Sequence, residues 1–78
     1  MEEWGIFVTE KELKRMLRHV ERARFEVFEV RPLSLIEKLT YVADDAHLYV
    51  NNPHIIMFRT TEEKYNRFIR IFRLSRMF

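Results

Sequence analysis

The chain has 78 residues, of which 47% are apolar, seven are phenylalanine, one is glycine and none is cysteine. A chain of this length has room for one hydrophobic core, and its aromatic content excludes an intrinsically disordered protein. The lack of cysteine excludes a disulfide framework and a thiolate metal site. The 14 basic and 12 acidic residues give a formal net charge of +2, without the strong basic excess typical of nucleic-acid-binding domains. We predict a single domain over residues 1–78.

The sequence indicates neither a targeting segment nor a membrane span. The N-terminus, Met1-Glu2-Glu3, is acidic where a signal peptide is basic. The longest uncharged apolar stretch covers residues 55–58, whereas a membrane-spanning helix needs about 20 residues. We expect a cytoplasmic protein that does not bind membranes, since nothing in the composition requires an oxidising compartment.

A strand followed by a helix opens the predicted fold. Residues 4–8 are apolar and partly β-branched, which is typical of a strand. Thr9 and Glu12 then have the spacing of a capping box, in which the Thr9 hydroxyl accepts from the backbone amide three residues later. Apolar residues recur behind it at helical spacing and predict a helix over residues 10–23. This stripe consists of Leu13, Met16, Leu17, Val20 and Ala23.

The second predicted strand covers residues 24–31. Its alternation of apolar and charged side chains fails at Val27 and Phe28, which are adjacent and both apolar. A β-bulge at this point, or apolar contacts on both faces of the sheet, would explain the failure. Pro32 forces the residue before it into an extended conformation and ends the strand.

The segment after Pro32 has two interpretations. Ser34 and Glu37 have the spacing of a second capping box, which favours a turn or short helix over residues 34–38. Alternatively, the segment over residues 39–43 simply continues a strand. We expect the short helix first and then a strand over residues 39–43.

Two turn signals separate the remaining strands of the predicted sheet. Asp44 and Asp45 indicate the first turn, and the Asn-Asn-Pro sequence of residues 51–53 indicates the second. Strands over residues 46–50 and 54–59 then complete a three-stranded antiparallel meander. The element order β-α-β-β-β-β-α predicts an α+β fold, in which a sheet of about four to five antiparallel strands carries two helices on one face.

The last predicted helix begins at Thr60 or Thr61. Acidic residues occupy its first turn, and Arg73 and Arg76 occupy its last turn, which is the polarity that the helix dipole favours. Its core stripe consists of Tyr65, Phe68, Ile69 and Phe72. Further apolar residues fall largely outside this stripe, so the helix is apolar on more than one side.

Catalysis is not indicated by the residue types present. Gly5 is the single glycine, whereas phosphate-binding loops need several glycines for a close backbone approach. Ser34 and Ser75 lack the neighbouring glycine of a nucleophile elbow. A weak candidate set of metal ligands, whose spacing matches no known site, consists of Asp44, Asp45, His47 and His54. We expect a protein that is not an enzyme and has no metal or cofactor.

Two sets of basic residues are candidates for binding nucleic acid or another anion. Lys11, Arg15, Arg18 and Arg22 follow the outer face of the first helix at spacing i, i+4, i+7 and i+11, over about 16 Å. Such a row can contact successive phosphates, although a solvated helix face that carries acidic neighbours shows the same pattern. The second set is Arg70 and Arg73, from a run of five cations without an acid over residues 64–78.

The apolar residues outside the core stripe of the last helix are candidates for a partner interface. They are Ile71, Leu74, Met77 and Phe78. Aromatic residues, methionine and arginine are enriched in protein interfaces. We predict a small non-catalytic interaction protein that binds a protein partner or forms a homodimer through this helix. The alternative is a nucleic-acid-binding module that uses the basic face of the first helix. The small size and few thermolabile residues also suit an accessory protein of a virus or a thermophile.

Overall fold

The computed structural model describes residues 1–41 and 52–74. Within these residues, three strands form an antiparallel sheet in the order β1-β3-β2. The strands are β1 (Glu2–Val8), β2 (Glu26–Pro32) and β3 (His54–Thr60). A 3-10 turn (Glu10–Glu12) leads into helix α1 (Leu13–Arg22), and two further helices are α2 (Leu35–Tyr41) and α3 (Glu62–Phe72). The predicted α+β class is confirmed.

The main hydrophobic core lies between one face of the sheet and the helices α1 and α3. The sheet contributes Ile6, Val8, Ile56 and Phe58, and the rest of the cluster is Met16, Val20, Phe25, Tyr65 and Phe68. Each large apolar side chain buried in this way contributes about 1.5 to 3 kcal/mol. The predicted packing of the first and last helices on one face therefore agrees with this core.

The opposite face of the sheet is also partly apolar. Phe7, Leu33 and Ile55 form a second buried cluster, against which Met57 packs. Because β3 is apolar on both faces, its sequence is typical of a central strand. It pairs with β1 on one side and with β2 on the other.

The predicted order of the strands is not confirmed. We expected residues 54–59 at the end of a meander, whereas β3 lies between the two N-terminal strands. Residues 39–41 belong to α2 instead of the predicted strand over residues 39–43, because the capping box of α2 supports a helix of two turns. The predicted turn at Asp44 and Asp45 and the strand over residues 46–50 lie outside the described residues.

Of the two explanations for the failed alternation in β2, the structure shows the bulge. Val27 pairs with Phe58 and Glu29 pairs with Met57, so Phe28 is the extra residue of the bulge. The exposed Phe28 ring lies beneath the guanidinium of Arg59, whose carbon is 4.2 Å from the ring centre.

The capping predictions have different outcomes at the three helices. The Ser34 hydroxyl accepts from the Glu37 amide at 3.3 Å, and the Glu37 carboxylate accepts from the Ser34 amide at 3.0 Å, which completes the predicted capping box. Thr61 caps α3 by accepting from the backbone amide of Lys64. The prediction for Thr9 is wrong, because its hydroxyl donates to the Glu12 carboxylate at 3.0 Å instead of accepting from the backbone.

Both long helices end in a left-handed residue that is not glycine. Arg24 has φ 61° and Arg73 has φ 53°. The Phe25 amide donates to the Val20 carbonyl, and the Leu74 amide donates to the Ile69 carbonyl, as in a Schellman motif. The helix α3 therefore ends at Phe72, and the prediction that Arg73 lies in its last turn is wrong.

Candidate interaction surface

Three of the four residues in the predicted basic row belong to helix α1. Arg15, Arg18 and Arg22 lie on α1 and are exposed. Lys11 is also exposed but belongs to the 3-10 turn before α1. Because a 3-10 turn has about three residues per turn, the α-helical spacing predicted from Lys11 to Arg15 does not hold.

One member of this basic row has a carboxylate partner. Arg15, whose side chain is largely exposed, contacts the half-buried Glu12 at 2.8 Å. Within residues 1–41 and 52–74, Lys11, Arg18 and Arg22 form no ion pair. These three cations keep their charge available to a ligand.

The C-terminal candidate cations lie where α3 ends. Arg70 is exposed in the last turn of α3, and Arg73 is exposed at its left-handed terminus. The Phe72 ring between them packs against His19 of α1 with a centre-to-centre distance of 4.4 Å. His19 is half-buried. The two helices that carry the candidate cations are therefore in direct contact.

A groove of about 230 Å³ lies between the C-terminal end of α1 and the side of α3. Its lining consists of Ala23, Phe25, Lys64, Arg67, Phe68 and Ile71, and we call it the α1/α3 groove. Phe25 and Phe68 are 9% and 5% exposed and form its floor. Their ring centres are 5.4 Å apart, so the floor is continuous with the main core.

The predicted interface residues separate into different environments. Ile71 is 65% exposed and lines the α1/α3 groove. Leu74 is half-buried and packs against the main core, because the left-handed Arg73 turns the chain back over the helix end. The prediction that Leu74 faces a partner is therefore not supported by its packing. Met77 and Phe78 lie outside the described residues.

The two charged residues that line the α1/α3 groove, Lys64 and Arg67, are both basic. Arg67 contacts Glu63 at 3.4 Å, and both of these side chains are exposed. Lys64 forms no ion pair within the described part of the chain.

Sequence reasoning missed this groove although part of the signal was present. Lys64, Arg67, Phe68 and Ile71 have the spacing i, i+3, i+4 and i+7 of a single helix face. The helical periodicity assigns Phe68 to the core stripe and does not indicate that Lys64 and Arg67 line a groove. The other wall, Ala23 and Phe25, depends on how α1 packs beside α3, which local spacing does not determine.

The strongest described ion pair lies away from the groove. Arg31 donates two hydrogen bonds to the Glu37 carboxylate, at 2.5 and 2.6 Å, and a third to Glu29 at 2.5 Å. The hydrogen bonds from Arg31 lower the pKa of Glu37 to about 2, and the amide of Ser34 adds to this effect. The same contacts raise the pKa of Arg31. This cluster joins β2 to the start of α2 and has a structural role.

Metal binding and membrane insertion gain no support from the described residues. His54 lies in β3, where its Nδ1 is 2.9 Å from the Asn52 carbonyl oxygen. Its suggested co-ligands Asp44, Asp45 and His47 lie outside the described residues. Among the residues described, no three His, Asp or Glu side chains cluster as metal ligands would, and no helix has the length and apolarity to cross a bilayer.

Comparisons of the chain with protein-family models, with curated proteins and with solved structures found no match. Function must therefore be inferred from the surface itself.

Proposed function

We propose that this is a small non-catalytic interaction protein that binds a protein partner, or a second copy of itself, through α3 and the α1/α3 groove. The observation that supports this proposal is the position of Ile71. It is 65% exposed, yet it lies directly beside a groove whose floor is made by Phe25 and Phe68. An apolar side chain next to an apolar concavity is typical of the anchor region of a protein interface.

The composition around the groove also favours an interface. Arginine and phenylalanine side chains, which are enriched in protein interfaces, meet here in Arg67 and Phe68. The groove is open to solvent without any rearrangement, so a partner would meet a preformed surface. Met77 and Phe78 lie five and six residues after the end of α3 in the sequence, and their part in the interface remains a prediction.

Ile71→Glu tests the proposal because it places a charge beside the groove without removing core packing. Leu35→Glu is a matched control, since Leu35 is a leucine with 64% exposure on a different helix. Light scattering over a range of concentrations measures self-association, and selection from a library of displayed random peptides measures partner binding. We expect self-association or peptide enrichment in the wild type, loss of it in Ile71→Glu and its retention in Leu35→Glu. A wild type that remains monomeric and enriches no peptide contradicts the proposal.

The unpaired cations on and before α1 favour nucleic-acid binding as a second candidate function. Arg18 and Arg22 are exposed on one side of α1 and form no ion pair within residues 1–41 and 52–74. A protein that uses them on phosphates loses affinity steeply as salt is raised, since bound counterions are released. We expect Arg18→Glu with Arg22→Glu to abolish binding to labelled DNA and RNA in fluorescence anisotropy, while circular dichroism remains unchanged. Wild-type protein that binds neither at low salt contradicts this candidate.

A further inference from the structure

We propose that the occupant of the α1/α3 groove is an acidic segment of a partner protein, in which one bulky apolar side chain is flanked by carboxylates. This inference rests on the proposed function and specifies the chemistry of the partner. The apolar side chain would insert between Phe68 and Ile71, and the carboxylates would contact the cations of the rim.

The size of the groove favours a single anchoring side chain. Its volume is about 230 Å³, below the range of about 300 to 1,000 Å³ that is typical of sites for drug-sized ligands. Four of the six lining residues are apolar, namely Ala23, Phe25, Phe68 and Ile71. A phenylalanine or leucine side chain of a peptide has the shape and polarity that this space accepts, and its insertion would cover the exposed Ile71.

The charge of the rim favours acidic neighbours around that anchor. Lys64 and Arg67 both line the groove, and Lys64 has no ion pair within the described residues. The pair of Arg67 with Glu63 is exposed to solvent and therefore weak. Carboxylates beside the anchor would meet these two cations of α3. A second copy that presented the same face across a two-fold axis would place these cations against each other, and like charges across an interface are unfavourable.

The aromatic residues of the groove favour a peptide over a nucleic acid. Base stacking requires an aromatic ring with an open face. Phe25 is nearly parallel to Phe58 with ring centres 4.9 Å apart, and Phe68 contacts Phe72 at 4.6 Å. Because Phe25 and Phe68 are 9% and 5% exposed, neither ring offers a whole face to a base.

The test uses the full chain and a short fluorescein-labelled peptide in which one phenylalanine has two glutamates on each side. Fluorescence anisotropy compares it with a peptide that has alanine in place of phenylalanine and with one that has glutamines in place of the glutamates. We expect each replacement in the peptide to weaken binding at least about tenfold. In the protein, Ile71→Glu and Lys64→Glu should weaken it to a similar extent, while Leu35→Glu binds as the wild type does.

Amide chemical shifts recorded during the titration locate the bound peptide. We expect the changes to centre on Ala23, Phe25, Phe68 and Ile71. Equal affinity for the alanine peptide would show attraction between charges without an anchor and would overturn the inference. Displacement of the peptide from these residues by a single-stranded oligonucleotide at lower concentration would also overturn it.

Failure of this inference is distinguishable from failure of the proposed function. If light scattering shows a dimer that Ile71→Glu dissociates, and the acidic peptide does not bind, the occupant is a second copy and the proposed function remains. If peptide selection enriches sequences without acidic residues, the interface remains and the acidic segment is wrong. If neither self-association nor enrichment occurs, both proposals are wrong.

Discussion

The Tyr65 hydroxyl donates a hydrogen bond of 2.8 Å to the carbonyl oxygen of Gly5, a residue 60 positions earlier in the chain. This buried contact joins the first turns of α3 to β1. The Tyr65 ring also stacks on Trp4, with ring centres 4.4 Å apart. Through these two contacts Tyr65 fixes the helix that carries one wall of the α1/α3 groove.

Tyr65→Phe should therefore destabilise the fold although it keeps the ring. The change removes a donor from the buried Gly5 carbonyl, which costs about 1 to 3 kcal/mol. Urea denaturation followed by the fluorescence of Trp4 measures the free energy of unfolding. Glu62→Gln, at an exposed position of the same helix, serves as the control and should change it by less than about 0.5 kcal/mol. An unchanged midpoint in Tyr65→Phe would contradict the role given to this hydrogen bond.

The pair formed by Arg31 and Glu37 predicts a loss of stability in acid. The pKa of Glu37 in the folded protein is about 2, below its ordinary value of 4.5. Folding is therefore more favourable when Glu37 is ionised. The resulting stability is fully present above pH 5 and is lost as the pH falls towards 2. We expect about 1 kcal/mol, since solvent reaches both side chains and screens the pair.

Glu37→Gln isolates this effect. The variant should be less stable than the wild type at pH 7, and the difference should disappear at about pH 2, where Glu37 itself becomes protonated. Thermal unfolding at a series of pH values measures both curves. Glu63→Gln removes the exposed partner of Arg67 and is the control. Parallel curves for wild type and Glu37→Gln would show that the pair does not titrate as stated.

Arg24→Gly should stabilise the protein. The left-handed conformation of Arg24, with φ 61°, costs a non-glycine residue about 1 to 2 kcal/mol, and the greater freedom of glycine in the unfolded chain offsets part of the gain. We expect a net increase of about 0.5 to 1 kcal/mol in the free energy of unfolding. Arg18→Gly, six residues earlier and inside α1, should instead lower it by about 1 kcal/mol. If both variants are destabilised, the backbone explanation is wrong.

Leu74 and Ile71 should respond differently to the same substitution. Leu74→Glu places a charge against the main core and should lower the free energy of unfolding by about 1 to 3 kcal/mol. Ile71→Glu replaces an exposed side chain and should change it by less than about 0.5 kcal/mol. Denaturant titration of the two variants distinguishes a packing residue from an interface residue, and similar losses in both would contradict the assignment of Ile71.

Local signals in the sequence predicted local structure well. The capping box of Ser34 and Glu37 and the bulge beside Val27 both depend on residues within a few positions of one another. The ends of α1 and α3 were harder to place, because the left-handed positions that glycine usually fills are held here by Arg24 and Arg73. Only the packing of Phe25 and Leu74 against the core shows why the chain turns there.

These local signals did not predict how elements that are distant in sequence are arranged. The central position of β3 depends on its pairing with both earlier strands, although the apolar run Ile55 to Phe58 was a usable indication of a strand covered on both faces. The α1/α3 groove likewise combines residues of α3 with residues of the segment that follows α1. The exposed position of Ile71 could be predicted from the helical stripe. The position of Leu74 could not, because Leu74 lies beyond the last helical residue.

The central position of β3 has a consequence for the order in which the protein folds. Neither β1 nor β2 has a neighbour in the described sheet until residues 54–60 have been synthesised, since β3 is the partner of both. The sheet therefore closes only through pairings that are distant in sequence, and such contacts slow folding relative to local ones. During synthesis on the ribosome, the first half of the chain would have α1 as its main local structure. The core would form in one late step.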